Sequence, residues 1–130
     1  MVQAQTDALI AIWHVLPGDP GGAAALLKTV LASDAGAVSA WVGLAVASAK
    51  VGDGRAALVA IERAIALDPS IISSQCIRAE IALELCDYKR ALEAIEACMK
   101  LDPSATHPSG VRARGLLFQI KDQVAGLSKS

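Results

Sequence analysis

The tetrapeptide Leu67-Asp68-Pro69-Ser70 occurs a second time as Leu101-Asp102-Pro103-Ser104, 34 residues further along the chain. Proline has no backbone N–H and disfavours helical geometry in the residue before it, so each copy predicts the end of a helix. A repeated segment at a fixed period of this length is typical of proteins built from stacked structural repeats.

Aspartate recurs in the same register where a helix is expected to begin. These residues are Asp19, Asp53 and Asp87. Each follows a turn residue and precedes a helical pattern, which predicts that its side chain caps the next helix. Gly18 and Gly52 supply a permissive backbone in the first two turns, and Cys86 takes that place in the third.

Small side chains form two further columns in this register. They are Ala11, Ala45 and Ala79, and Ala23, Ala57 and Ala91. Alanine lets two helices approach closely where a larger side chain would separate them. Of the 130 residues, 54% are hydrophobic but only 3% are aromatic, and no alternating β-branched run is present. The sequence therefore predicts an all-α fold in a single domain, residues 1–130.

Charge and targeting signals narrow the function classes. The formal net charge is −1, so no long-range attraction to nucleic acid is expected. The apolar N-terminal stretch lacks the features of a secretory signal, and it stops at Pro17 before it is long enough to span a membrane. Cys76, Cys86 and Cys98 form neither a disulfide framework nor a zinc pattern. We therefore expect a cytoplasmic protein with no membrane span.

The 34-residue unit resembles the tetratricopeptide repeat family. The middle repeat carries the family pattern as Trp41, Leu44, Ala45, Ala57, Ile61, Ala64 and Pro69. The third carries it as Ala79, Tyr88, Ala91, Ile95, Cys98 and Pro103. Ser48, Arg78 and Cys86 depart from it. The resemblance implies a right-handed α-solenoid of three helix-turn-helix repeats at about 4–37, 38–71 and 72–105.

This layout predicts two helices in each repeat and one helix after them. The ranges are about 3–16 and 20–32, 37–50 and 54–66, and 71–85 and 88–100. Pro108, a favoured first-turn residue, begins a seventh helix at about 108–127 whose apolar positions recur at helical spacing. Because the last repeat of a solenoid has no neighbour, this helix is predicted to cap it.

No set of residues in the sequence predicts catalysis. His14 and His107 lie far apart, and neither has a carboxylate or thiol at helical spacing for a metal site. Cys98 near His107 could act as a nucleophile, but Cys98 shares a column with Val30 and Ala64, which indicates burial. We therefore expect no enzymatic activity, no catalytic residue, no metal and no cofactor.

The resemblance implies that the first helix of each repeat lines a concave groove that holds a partner polypeptide. The predicted groove residues are Gln5, Ala8, Ile12, Val15, Ser39, Val42, Val46, Ala49, Ser73, Cys76, Glu80 and Leu83. Some family members bind a terminal carboxylate on this face. The matching positions here are Ala8, Ile12, Gly43, Ser73 and Ile77, of which only the serine has a side-chain donor, so such a clamp is not expected.

Charge is distributed unevenly between the repeats. Residues 1–50 hold five charged side chains, whereas residues 71–104 hold ten. Ile10, Trp13 and Leu16 make the first helix apolar on nearly all sides, which predicts a covering partner, such as a second copy of the chain. Glu80 and Glu84 share a helix face that either meets a basic partner or is simply solvated.

The sequence therefore predicts a protein–protein interaction module, an adaptor or scaffold that binds an apolar or amphipathic segment and self-associates. Two alternatives stay open. One is a secretion-type chaperone for hydrophobic client segments, and the other is the interaction or oligomerisation fragment of a larger enzyme.

Overall fold

The computed structural model describes residues 18–128, without the side chains of residues 127 and 128. In this part of the chain there are six α-helices and no strand. In chain order they are α1 Pro20–Ser33, α2 Val38–Lys50, α3 Gly54–Leu67, α4 Ile72–Glu84, α5 Tyr88–Leu101 and α6 Pro108–Ser128. The predicted all-α class is confirmed. The helix predicted at 3–16 lies outside the described residues, so the predicted seventh helix is α6.

The chain divides into two compact units, one ending at Pro69 and one beginning at Ser70. In the first unit, α2 packs against both α1 and α3. In the second unit, α6 packs against both α4 and α5. In each unit the first helix of a repeat packs against the second helix of the same repeat, α2 against α3 and α4 against α5. The single-domain organisation stays a prediction.

Three aspartates cap helices as their register predicts. Asp19 Oδ1 accepts a hydrogen bond from the backbone N–H of Gly22 at 2.9 Å. Asp53 and Asp87 accept from the N–H groups three residues further on, both at 3.1 Å. Each carboxylate satisfies an N–H that the first turn of a helix leaves without an intrahelical partner.

The turns inside the second and third repeats are closed by the same pair of backbone hydrogen bonds. Gly52 N–H donates to Ala49 O at 3.1 Å, and Asp53 N–H donates to Ser48 O at 2.9 Å. The equivalent bonds 34 residues later are 3.0 and 2.9 Å. This is the Schellman arrangement, which requires a left-handed residue after the helix. Gly52 has a φ of 86° there, and Cys86 has a φ of 58°.

The cores of both units are built from small side chains and a few large ones. The alanine columns are completely buried wherever the structure describes them: Ala23, Ala45, Ala57, Ala79 and Ala91. In the first unit, Leu27 and Ile61 fill the space between helices, and Gly43 lets α2 approach Leu27 closely. In the second unit, Ile95 and Ile120 do so.

The loop between α5 and α6 is organised by Asp102, which is 5% exposed. Its Oδ1 accepts hydrogen bonds from the backbone N–H and the hydroxyl of Thr106, both at 3.1 Å. Its Oδ2 accepts from the backbone N–H of His107 at 3.0 Å. Burial acts to raise the pKa of Asp102, but these hydrogen bonds and the nearby charge of Arg114 outweigh it. The pKa therefore lies below its ordinary value.

Arg114 ties α6 to this loop. Its guanidinium donates to the carbonyl oxygens of Asp102, Pro103 and Gly110 at 2.8, 3.2 and 3.0 Å. Gly110 is buried against the Asp102 carboxylate, and a Cβ on Gly110 would collide with that carboxylate. Together these contacts fix where α6 begins and hence which of its residues face α4.

Candidate functional site

One strip of α2 remains accessible beside the buried face of that helix. Leu44, Ala45 and Ala47 are at most 7% exposed. The accessible strip consists of residues at successive spacings of three, four and three, namely Ser39, Val42, Val46 and Ala49. Ser39 is exposed and the other three are half-buried. We call these four residues the α2 strip. They are the groove residues that the sequence predicts for the second repeat.

The corresponding residues of α4 differ more in their exposure to solvent. Ser73, Glu80 and Leu83 are half-buried, whereas Cys76 is 3% exposed and belongs to the core of the second unit. Cys76 Sγ lies 3.5 Å from Glu80 Oε1, to which it donates a hydrogen bond. Cys76 therefore supports this face from beneath and does not present its own side chain to solvent.

Glu80 forms a two-point ion pair with Arg112 of α6. Arg112 Nε donates to Glu80 Oε1 at 2.6 Å, and Arg112 Nη2 donates to Glu80 Oε2 at 3.1 Å. The guanidinium side chain is 61% exposed and the carboxylate side chain 36%. The hydrogen bonds and the charge of Glu80 raise the pKa of Arg112 further. Glu80 is therefore neutralised from within the chain, while Glu84, one turn later, is exposed.

Arg112 is not among the groove residues that the sequence predicts. Residues two apart on a helix point in different directions, and Arg112 and Arg114 do so here. Arg112 reaches α4, and Arg114 turns to the loop before α6.

Trp41, the tryptophan of the repeat pattern, has a structural role at the edge of α2. Its Nε1 donates to the carbonyl oxygen of Ala35 at 2.8 Å. The Arg63 guanidinium lies over the indole ring, 5.4 Å from the ring centroid, a cation–π geometry. Trp41 thus joins the loop before α2 to α3, since Arg63 belongs to α3.

The residues considered for catalysis are placed where they pack or cap. Cys98 is fully buried, as its column predicts, and burial followed by the charge of Asp102 raises the pKa of its thiol. Its Sγ faces the carbonyl oxygens of Ile72 and Ser109 at 3.8 and 3.6 Å. His107 Nδ1 accepts from the backbone N–H of Ser109 at 3.1 Å, at the start of α6.

Residues 18–128 contain no group of three or more His, Cys, Asp or Glu side chains arranged to hold a metal ion. None of the helices described in this part of the chain is long and apolar enough to cross a membrane. Several predicted site residues lie outside the described residues. These are Gln5, Ala8, Ile12 and Val15 of the groove, and Ile10, Trp13 and Leu16 of the self-association surface.

Residues 15–75 match the model of the tetratricopeptide repeat family. The match covers 61 of the 130 residues and identifies the tetratricopeptide repeat pattern in this part of the chain. The third predicted repeat lies beyond the matched residues, but its turn and cap repeat the geometry of the second at a distance of 34 residues. No curated protein matches the sequence.

Solved tetratricopeptide-type structures share the fold at low identity. The Yersinia enterocolitica type III secretion chaperone SycD, in complex with a peptide of the translocator YopD, has a TM-score of 0.83 at 15% identity. That match covers 93% of this chain and 95% of SycD. The first TPR of Spaghetti (RPAP3), bound to the HSP90 peptide SRMEEVD, has a TM-score of 0.84 at 17% identity and covers 95% and 94%.

A type III secretion complex from Aeromonas hydrophila is similar to the same extent. Its TM-score is 0.86 at 16% identity, and the match covers 96% of this chain and 85% of that one. The TM-scores show that the helical fold is shared. Identities this low do not transfer a partner, because repeats of this kind carry many different binding surfaces on one scaffold.

Proposed function

We propose that this chain is a non-enzymatic interaction module that binds an apolar or amphipathic segment of another polypeptide through the accessible strips of its first helices. The observation that carries the proposal is the α2 strip. It is an accessible strip beside the buried face of the same helix, and apart from Ser39 it is apolar. An amphipathic helix or an extended apolar segment suits such a surface.

The size of the apolar contribution fits a reversible interaction. Full burial of a valine side chain stabilises by roughly 1.5–3 kcal/mol. Val42 and Val46 are already half-buried, so a partner would gain about 1 kcal/mol from each. Several such contacts along a segment are needed for micromolar binding, which requires about 8 kcal/mol.

The peptide complexes among the similar structures support a partner of this class. SycD is bound to a peptide of a translocator, and the RPAP3 repeat is bound to an HSP90 peptide. Several titratable side chains have structural uses, since Asp102 and His107 accept hydrogen bonds from backbone N–H groups before and at the start of α6 and Glu80 pairs with Arg112. These uses support a non-enzymatic role. We further propose a cytoplasmic location, supported by three cysteines that are all free thiols.

The test is a selection from a phage-displayed library of random peptides about sixteen residues long, enough for about four helical turns. The wild type and Val46→Glu are compared, with Val59→Glu as the matched control. Val59 lies on α3 and is 65% exposed, so the same charge is introduced away from the α2 strip. Thermal melts establish that both variants are folded.

We expect the wild type and Val59→Glu to enrich peptides with apolar residues at helical spacing, and Val46→Glu to lose that enrichment. If all three proteins enrich the same peptides, or if the wild type enriches none, the proposed function is wrong.

The likeness to SycD favours one second candidate, a chaperone for hydrophobic segments of exported proteins. Its discriminating experiment is co-expression with a hydrophobic candidate client, measured as the fraction of client in the soluble lysate. A chaperone raises that fraction, and the rise is lost in Val46→Glu. An adaptor binds its partner without changing the solubility of that partner.

A further inference from the structure

The Glu80–Arg112 pair leaves most of its unused hydrogen-bonding capacity on Arg112, since Glu80 already uses three of its about four acceptor sites. A guanidinium has five N–H donors, and Arg112 uses two of them on Glu80, which leaves three. Both oxygens of Glu80 already accept hydrogen bonds, Oε1 from Cys76 and Arg112, and Oε2 from Arg112. The exposed edge of this neutral pair therefore offers donors to an incoming group.

The Arg112 guanidinium is held in place and accessible at the same time. Two-point pairing with a carboxylate fixes the plane of the guanidinium, which lowers the conformational cost of a further hydrogen bond. Its side chain is 61% exposed. Val111, the preceding residue, is 53% exposed, and Leu83, three residues after Glu80 on α4, is half-buried.

On these observations, and resting on the proposed function, we propose that Arg112 recognises a side-chain carboxylate of a segment bound along α4 in the same unit, so that the preferred partner is an apolar segment bearing an Asp or Glu. This site differs from a clamp for a chain terminus, whose positions hold no arginine or lysine here. Glu84, which is exposed one turn beyond Glu80, is a charge on α4 that opposes an acidic partner.

A structural role for the pair makes a different prediction. If Arg112 only fastened α6 to α4, its loss would lower thermal stability without altering which peptides bind. Peptide selectivity is therefore the measurement that separates the two roles.

The experiment extends the peptide selection to Arg112→Gln, with Arg55→Gln as the matched control. Arg55 is an exposed arginine of α3, in the other unit. We expect acidic residues beside the apolar positions in peptides enriched by the wild type and by Arg55→Gln, and no acidic preference with Arg112→Gln. Arg112→Lys, which keeps the charge, serves if Arg112→Gln does not fold, and it should retain part of the preference.

The enriched peptide is then titrated in solution with its acidic residue changed to the amide. The amide should weaken binding to the wild type by about three- to fivefold, the size expected for a partly exposed charge pair, and should not weaken binding to Arg112→Gln. Apolar enrichment with no acidic preference would overturn this inference and leave the proposed function standing. Failure to enrich any peptide would overturn both.

Discussion

Gly52 and Cys86 occupy the same backbone position in successive repeats, and both have a positive φ, of 86° and 58°. Each residue closes the first helix of its repeat through its own N–H group. Glycine adopts this conformation without steric cost, whereas a residue with a Cβ is destabilised by about 1–2 kcal/mol. The third repeat therefore contains backbone strain that the second repeat avoids.

We expect Cys86→Gly to raise the free energy of unfolding by about 0.5–1 kcal/mol. Relief of the left-handed strain exceeds the extra chain entropy that glycine adds to the unfolded state. Gly52→Ala should lower it by about 1 kcal/mol for the opposite reason. Urea unfolding measures both. Cys86→Ala is the control because it removes the thiol and keeps the strain. If Cys86→Ala raised the free energy of unfolding as much as Cys86→Gly does, the prediction would be contradicted.

The three cysteines should differ sharply in reactivity. Cys86 is exposed, whereas Cys76 and Cys98 are buried. Burial, reinforced by Glu80, raises the pKa of Cys76 to about 12, so only about one thiol in ten thousand is ionised at pH 8. We expect a thiol reagent to modify one cysteine rapidly in the native protein and all three in urea. Cys86→Ser should abolish the rapid phase, and a rapid phase that persists in this variant would contradict the placement of the other two.

Asp102 should make the protein sensitive to acid. Because its pKa in the folded protein lies below the ordinary value of 3.8, its ionised form stabilises the fold above that pH. The contribution is lost as pH falls below 3.8 through the folded pKa. We expect Asp102→Asn to be clearly less stable than the wild type at pH 7, and the difference to shrink on acidification. Urea unfolding from pH 7 to pH 2.5 measures it.

Asp122→Asn is the matched control for this experiment, since Asp122 is an exposed aspartate of α6. An equal, pH-dependent loss in Asp122→Asn would show that a general charge effect is responsible, and the assignment to the Asp102 loop would then be wrong.

Self-association through the first helix is predicted from its apolar composition alone. Light scattering of the eluting size-exclusion peak over about a hundredfold range of concentration should show a species larger than the monomer, by mass action. Trp13→Asp should return it to a monomer, while Val59→Asp, an equivalent change on α3, should not. A monomer at every concentration would remove self-association from the proposed function.

Periodicity predicted those parts of the fold that repeat. The caps at Asp19, Asp53 and Asp87 follow from a residue that recurs at the same position of all three repeats. Helices α1 to α5 begin and end within about one residue of their predicted bounds. The burial of Cys98 followed from its place in the same repeat position as Val30 and Ala64. These features depend on local chemistry that recurs, so one sequence contains several independent indications of each.

Contacts that occur in only one repeat could not be predicted from the periodicity. The Glu80–Arg112 pair joins helices whose relative rotation depends on the loop around Asp102, and Ala105 in that loop has a φ of 54°. No residue type in the sequence indicates that conformation, since a positive φ is uncommon for alanine. Cys76 was predicted to line the groove, and it is buried because α6 packs against α4 and α5 and contributes Ala113, Leu116 and Ile120 to the same core.

Asp53 and Asp87 each complete the end of one helix with the backbone N–H and begin the next helix with the side chain. A residue inserted into either of these turns would break both sets of bonds at once, so the turns inside repeats tolerate no change of length. The connections between repeats are not constrained in this way. The connections between the earlier repeats, 34–37 and 68–71, have four residues each, whereas the six residues 102–107 before α6 are held by Asp102 and Arg114. Length variation, and any engineered insertion of a tag or loop, therefore belongs in the two four-residue connections.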